Sequence, residues 1–210
     1  AFLELRVTMP DGSVVHHHRQ RSHSWVRNAY NMLLSELAAV NANDSTFGAG
    51  LLSIKDTGGT IRYGARGISL HNNASMLGGS GVGYAAAAAI TTHGIQVGTD
   101  ATAESFEDYV LGALIANGTG AGQLSYVAEE DYTYAYVAGT KTLSVTIIRY
   151  LNNNSGGSIG VNEVGLVTHS LVSGSDFYWM MSRDKLGATV TVPNTGQLKV
   201  TYTISLVYPA

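Results

Sequence analysis

From Leu198 to Tyr208 the chain alternates without a break. Leu198, Val200, Tyr202, Ile204, Leu206 and Tyr208 fall on one side, and Lys199, Thr201, Thr203, Ser205 and Val207 on the other. A period of two over eleven residues predicts a long β-strand with one buried face. Leu143, Val145, Ile147, Arg149 and Leu151, set against Ser144, Thr146, Ile148 and Tyr150, repeat the pattern with weaker contrast. The turn-forming run Asn152-Asn153-Asn154-Ser155-Gly156-Gly157 then ends it. Further strands are expected at residues 124–137, 159–169, 176–182 and 188–192, separated by turn residues.

The N-terminal part reads differently. Phe2, Leu3, Leu5 and Val7, then Met9-Pro10-Asp11-Gly12, then Ser13-Val14-Val15 predict a hairpin turning at Asp-Gly. Trp25, Ala29, Met32, Leu33, Leu37 and Val40 recur at helical spacing, with Ser22 or Ser24 placed to cap the start. Short strands are expected at residues 51–55 and 60–63, joined by Asp56-Thr57-Gly58-Gly59. Residues 68–92, rich in Gly, Ala, Ser and Asn, read as an extended loop or arm ordered by contact with another chain. Residues 104–114 read as a short helical or looped crossing that brings Phe106, Tyr109, Leu111 and Leu114 to the core.

The whole is therefore expected to be mainly β: an antiparallel β-sandwich, jelly-roll-like, with an N-terminal hairpin and one amphipathic helix. Residues 1–67 form the hairpin, helix and short strands, residues 68–93 the loop, and residues 94–210 the sandwich, all within one structural domain.

Composition narrows the class of function. Charged residues make up 13% of the chain, about half the usual share, while 25 of the 210 residues are glycine. A surface poor in charge and rich in neutral polar residues is weakly protected against association, so assembly is the first expectation. The net charge of −3 argues against direct nucleic-acid binding, and the absence of cysteine removes disulfides, thiolate chemistry and Cys-based zinc sites. No charged leader with an apolar signal core is in view, and the apolar run Ala85 to Ile90 is too short to cross a bilayer, so a soluble chain is expected.

One set of segments resembles a known family. Ile95-Gln96-Val97-Gly98-Thr99, Asp108-Tyr109-Val110-Leu111, Tyr150-Leu151-Asn152-Asn153, Asn162-Glu163-Val164-Gly165-Leu166, Met181-Ser182-Arg183-Asp184 and Val200-Thr201-Tyr202-Thr203-Ile204, in that order, resemble a pattern of tailed-bacteriophage virion proteins. The likeness is to β-sandwich modules of tail or collar-fibre and head-surface proteins, over about residues 94 to 208. It implies a structural protein of the virion, a tail, collar or capsid-decoration component whose partners are copies of itself and other virion proteins.

Candidate sites follow from charge placement. Alternation puts Glu163 and Gly165 on one face, with Arg183 expected to fill the room beside the glycine and form an interstrand ion pair with Glu163. Arg6, His16, His17, His18, Arg19, Arg21, His23 and Arg27 read as a basic contact stripe. Its complement is either Asp100, Glu104, Glu107 and Asp108 or Glu129, Glu130 and Asp131, an arrangement suited to head-to-tail packing. In a strand His16 and His18 share a face that His17 does not, so no metal site is expected from the histidine run. Tyr132, Tyr134 and Tyr136, two apart, form either a cross-strand ladder or an exposed row able to stack on sugars, the basis of the alternative reading as a glycan- or host-receptor-binding module. No Gly-x-Ser-x-Gly elbow, Walker loop or dinucleotide loop in its proper setting appears, so no cofactor and no enzymatic activity are expected.

Overall fold

The computed structural model describes residues 1–22, 24–38, 54–62, 83–172 and 175–209. The elements in chain order are β1 (Phe2–Thr8), β2 (Val14–Arg21), α1 (Arg27–Ala38), β3 (Ile54–Lys55), β4 (Ile61–Arg62), β5 (Gly94–Gly98), β6 (Ser125–Tyr126) and β7 (Thr133–Val137). A short 3₁₀ turn, β8 (Thr142–Asn152), β9 (Ile159–Val172), β10 (Ser175–Val192) and β11 (Gln197–Val207) complete it. The fold is mainly β with antiparallel sheets and a single helix. A six-stranded sheet runs β2-β1-β11-β8 with β6 and β7 both on the far side of β8, and a three-stranded sheet runs β10-β9-β5.

Alternation decides what each sheet buries. In β1, Leu3, Leu5 and Val7 lie opposite Tyr202, Val200 and Leu198 of β11, and all six are fully buried. These meet Val161, Val164, Leu166, Trp179 and Val190 from the second sheet in one continuous core, as a two-layer sandwich requires. Burying each such aliphatic side chain is worth about 1.5–3 kcal/mol. The hairpin turn falls where Asp-Gly predicts: Gly12 has φ +84°, and the Asp11 carboxylate accepts hydrogen bonds from the Ser13 N–H and hydroxyl.

Several expectations need correction. The two strands expected at residues 176–182 and 188–192 are one strand, β10. Its register with β9 shifts twice, so bulges absorb the extra residues instead of a turn. At the second bulge the Gln20 side chain donates to the Lys185 carbonyl and accepts from the Gly187 N–H, tying β10 to the edge strand of the other sheet. Conversely, the strand expected at residues 124–137 is broken into β6 and β7. The helix starts at Arg27, leaving Trp25 in an isolated bridge with Ser182. Neither serine caps it: Ser22 Oγ donates to Asp184, Ser24 Oγ donates to Glu104, and the Phe106 carbonyl takes the Arg27 N–H instead. Helix residues Ala29 and Met32 are buried but Leu33 is exposed; the side chain of Leu37 and the whole of Val40 lie outside the described residues.

In the 104–114 crossing only Leu111 is buried, because the segment wraps the second sheet and leaves Phe106 and Leu114 facing outward. Most of the expected arm, residues 68–82, lies outside the described residues. Its continuation from Gly83 is anchored within the same chain, through an antiparallel bridge to His169 and a fully buried Tyr84.

Candidate assembly surface

Strand pairing sorts the basic residues by face. Across the outer face of the large sheet, Arg21 lies opposite Phe2, Arg19 opposite Glu4 and His17 opposite Arg6, while Arg6 in turn lies opposite Lys199. Arg6, His17, Arg19, Arg21 and Lys199 therefore share one surface, with Glu4 as its acid. Glu4 accepts from His17 Nε2 at 3.1 Å, Arg19 lies over the Phe2 ring at 4.8 Å, and Lys199 lies over the Tyr150 ring at 5.5 Å. Like charges directly opposite one another destabilise a sheet, and the row His17-Arg6-Lys199 places three basic groups side by side.

The stripe expected from the sequence is thus divided. His16 and His18 take the inner side with Gln20, where His18 Nε2 meets Gln20 Oε1 at 2.8 Å. Arg27 is drawn away altogether: its guanidinium grips Glu107 and lies over the Phe106 ring. His23 lies outside the described residues. Lys199, which the strand pattern concealed among the polar positions of β11, joins the surface only through sheet order.

The acidic candidates divide more sharply still. Asp100, Asp108 and Glu163 converge on Arg183, whose Nη2, Nη1 and Nε donate to them at 2.8, 2.9 and 2.7 Å. Burial works against the charge of Arg183, yet the Glu163 and Asp108 carboxylates hold its pKa above the usual value. Glu163 is fully buried and also accepts the N–H groups of Gly112 and Ala113. Register places Arg183 directly across from Gly165, but the room beside that glycine is filled by Leu111 and Met180. The glycine that admits Glu163 is Gly98, where a Cβ would run into the carboxylate and the Ala113 carbonyl.

Glu129, expected on an exposed patch, is turned inward at the break between β6 and β7. There it accepts the Ala86 and Ile95 N–H groups at 3.0 and 2.5 Å, and burial pushes its carboxyl up to about 7. Beside it stands Arg149, fully buried on the core face of β8, with all five N–H donors engaged. They reach the carbonyls of Val127, His93, Ile95, Ala87 and Ile90. Desolvation lowers the pKa of Arg149. On the other side of β10 from Arg183, the buried Asp184 accepts from Ser22, Ser182 and Tyr202 at 2.8, 2.9 and 2.7 Å.

Glu130 and Asp131 remain. Both are exposed, and among the described residues neither has a hydrogen-bonding or ionic side-chain partner. They stand just before β7, and the Glu130 N–H donates to Ile148 on the sheet margin opposite β2.

Beyond Thr203, β11 outruns β1, leaving β7, β8 and β11 as a projecting three-stranded tongue. Its inward-type face carries the rows Tyr134-Val145-Ile204 and Tyr136-Leu143-Leu206. Past Val145 this face is uncovered: Tyr134, Tyr136 and Leu206 are 50%, 55% and 59% exposed, while Tyr132 is packed against the core. Against its base, Trp25, Tyr30, Leu33, Tyr84, Met181 and Ile204 line an apolar cleft of about 370 Å³.

Among the described residues no group of three or more His, Asp or Glu converges to hold a metal ion, and no helix is long and apolar enough to cross a membrane. Compared with known proteins, the chain matches no family model, no curated protein and no solved structure.

Proposed function

We propose that this chain is a non-enzymatic structural protein of a tailed-phage virion, a tail, collar or head-surface component that works by joining copies of itself and other virion proteins. The observation that carries the reading is the contrast in how charge is placed. Interior acids and arginines bind one another and the backbone to hold the sandwich together, while a sheet face with an excess of basic charge, two unpaired acids and an apolar tongue are turned outward. Exposed groups of that kind are suited to contact, and contiguous exposed apolar surface marks interaction sites. The virion assignment rests on the resemblance. Its segments bind one another here: Arg183 to Glu163 and Asp108, Asp184 to Tyr202, and Ser182 to Leu166 across the β9–β10 pair.

The test has two parts. Sedimentation of the purified chain should show concentration-dependent self-association that weakens as salt rises. Mass spectrometry of particles from a phage carrying the gene should find the chain in multiple copies. A chain that stays monomeric and is missing from particles overturns the reading. The alternative, a glycan- or host-receptor-binding module, draws on the exposed rings of Tyr134 and Tyr136, and saturable binding to a glycan array by the monomer would favour it.

A further inference from the structure

The large sheet has two open margins of opposite charge. Among the described residues β2 pairs only with β1 and β7 only with β8, so each is an edge strand of the sheet. Arg19 lies opposite Glu4, Glu4 opposite Thr201 and Thr201 opposite Ile148, whose carbonyl accepts the Glu130 N–H. Arg19 and Glu130 thus stand at the two ends of one row across the sheet, about 19 Å apart at the usual strand spacing. Arg21 occupies the neighbouring row, which ends on the other margin at Thr133, two residues from Asp131.

We propose that copies of this chain join head to tail across these margins, Arg19 and Arg21 of one copy facing Glu130 and Asp131 of the next. The proposal rests on the self-assembly reading above and names its geometry. Charge complementarity selects it. A two-fold contact through β2 would set arginines against arginines, and one through β7 would set acids against acids; only the heterologous arrangement neutralises both. The remaining acids cannot substitute, because every other acid whose side chain is described is already engaged within the chain. Exposed ion pairs add little energy alone, so they set partner and register while the tongue beside Asp131, with Tyr134 and Tyr136, supplies apolar area.

The experiment uses the full chain and two margin variants, Arg19→Glu with Arg21→Glu and Glu130→Arg with Asp131→Arg, compared by sedimentation velocity. All four positions are exposed, so both variants should keep a cooperative thermal transition that confirms folding, with only a small loss in the first, where Arg19→Glu faces Glu4 across the strand pair. Each variant alone should associate at least about tenfold more weakly than the parent, since like charges now meet. An equimolar mixture should recover the affinity and grow past a one-to-one pair, because the two unaltered margins meet at one junction and the two reversed margins, again complementary, meet at the next. Combining all four reversals in one chain should restore growth beyond the pair. Margin variants that assemble like the parent, or a mixture that fails to pair, overturn this interface while self-assembly stands. A parent chain monomeric at every concentration overturns both.

Discussion

Arg149 and Arg21 belong to the same six-stranded sheet, one on its core face and one on its outer margin. Arg149 is sealed from water with every donor matched to a carbonyl oxygen, and Arg183 on the other sheet is ringed by three carboxylates. Arg6, Arg19 and Arg21 have no carboxylate within ion-pair distance among the described residues and crowd one another's neighbourhood. The difference teaches where this molecule commits its polar chemistry. A buried cation without full satisfaction would be ruinous, so the interior arginines are structural. An exposed cation costs little to leave open and stays free to bind.

The sharpest way to break the contrast is to remove the interior members. Arg149→Met should cost about 4 kcal/mol, read as a fall in the urea midpoint, because it strands buried carbonyls as well as losing five hydrogen bonds. Arg183→Met should cost about 3 kcal/mol, since it leaves Glu163 buried without its cation. Combined with Glu163→Gln, the loss should fall well short of the sum of the single losses; additive effects would mean that the two do not act as a unit.

Next in size are two pH effects of opposite sign. The Glu129 carboxyl is raised by burial from 4.5 to about 7, so its contribution to stability is full below about pH 4.5 and is lost as pH climbs through 7. His93 stands 5.1 Å from the His169 ring and 5.8 Å from Tyr178. Burial first, then the charges of His169 and Arg149, bring it down from 6.5 to about 4, against opposing contributions from the Ala85 backbone and Asp176. Its contribution is full above about pH 6.5 and is lost as pH falls through 4. Denaturation midpoints followed from pH 4 to 8 should lose their neutral-side decline in Glu129→Gln and their acid-side decline in His93→Gln. The smallest effect belongs to the surface: Arg6→Gln should change stability by no more than about 0.5 kcal/mol, in the stabilising direction, as it relieves the row with His17 and Lys199.

Much of this architecture is legible in the sequence, for identifiable reasons. The strands β1, β8 and β11 announce themselves because their buried positions alternate with polar ones, and Asp-Gly fixes the first hairpin. Opposite directions for His17 and its neighbours also follow from period alone. What periodicity cannot carry is long-range register. That Arg183 would gather Asp100 and Asp108, 83 and 75 residues away, depends on how the 99–113 crossing wraps the second sheet. The inward turn of Glu129 is hidden for a related reason, since its neighbours Glu130 and Asp131 look identical in sequence and only the strand break separates them. Arg149 did leave a trace, a single cation amid the apolar series Leu143, Val145, Ile147 and Leu151. The alternation of β11 predicts burial as far as Tyr208, but burial also needs a facing layer, and among the described residues none covers Leu206.

The Arg149 clasp has one more consequence. Because one guanidinium holds the carbonyls of Ala87, Ile90, His93, Ile95 and Val127, a segment that looks in sequence like slack chain cannot breathe by itself. Loosening it would strand a charge at the centre of the molecule, so fluctuations there are coupled to global unfolding. Its hydrogen-bonded amides, such as that of Ala89 on the Tyr126 carbonyl, should therefore exchange with solvent about as slowly as those of the central strands.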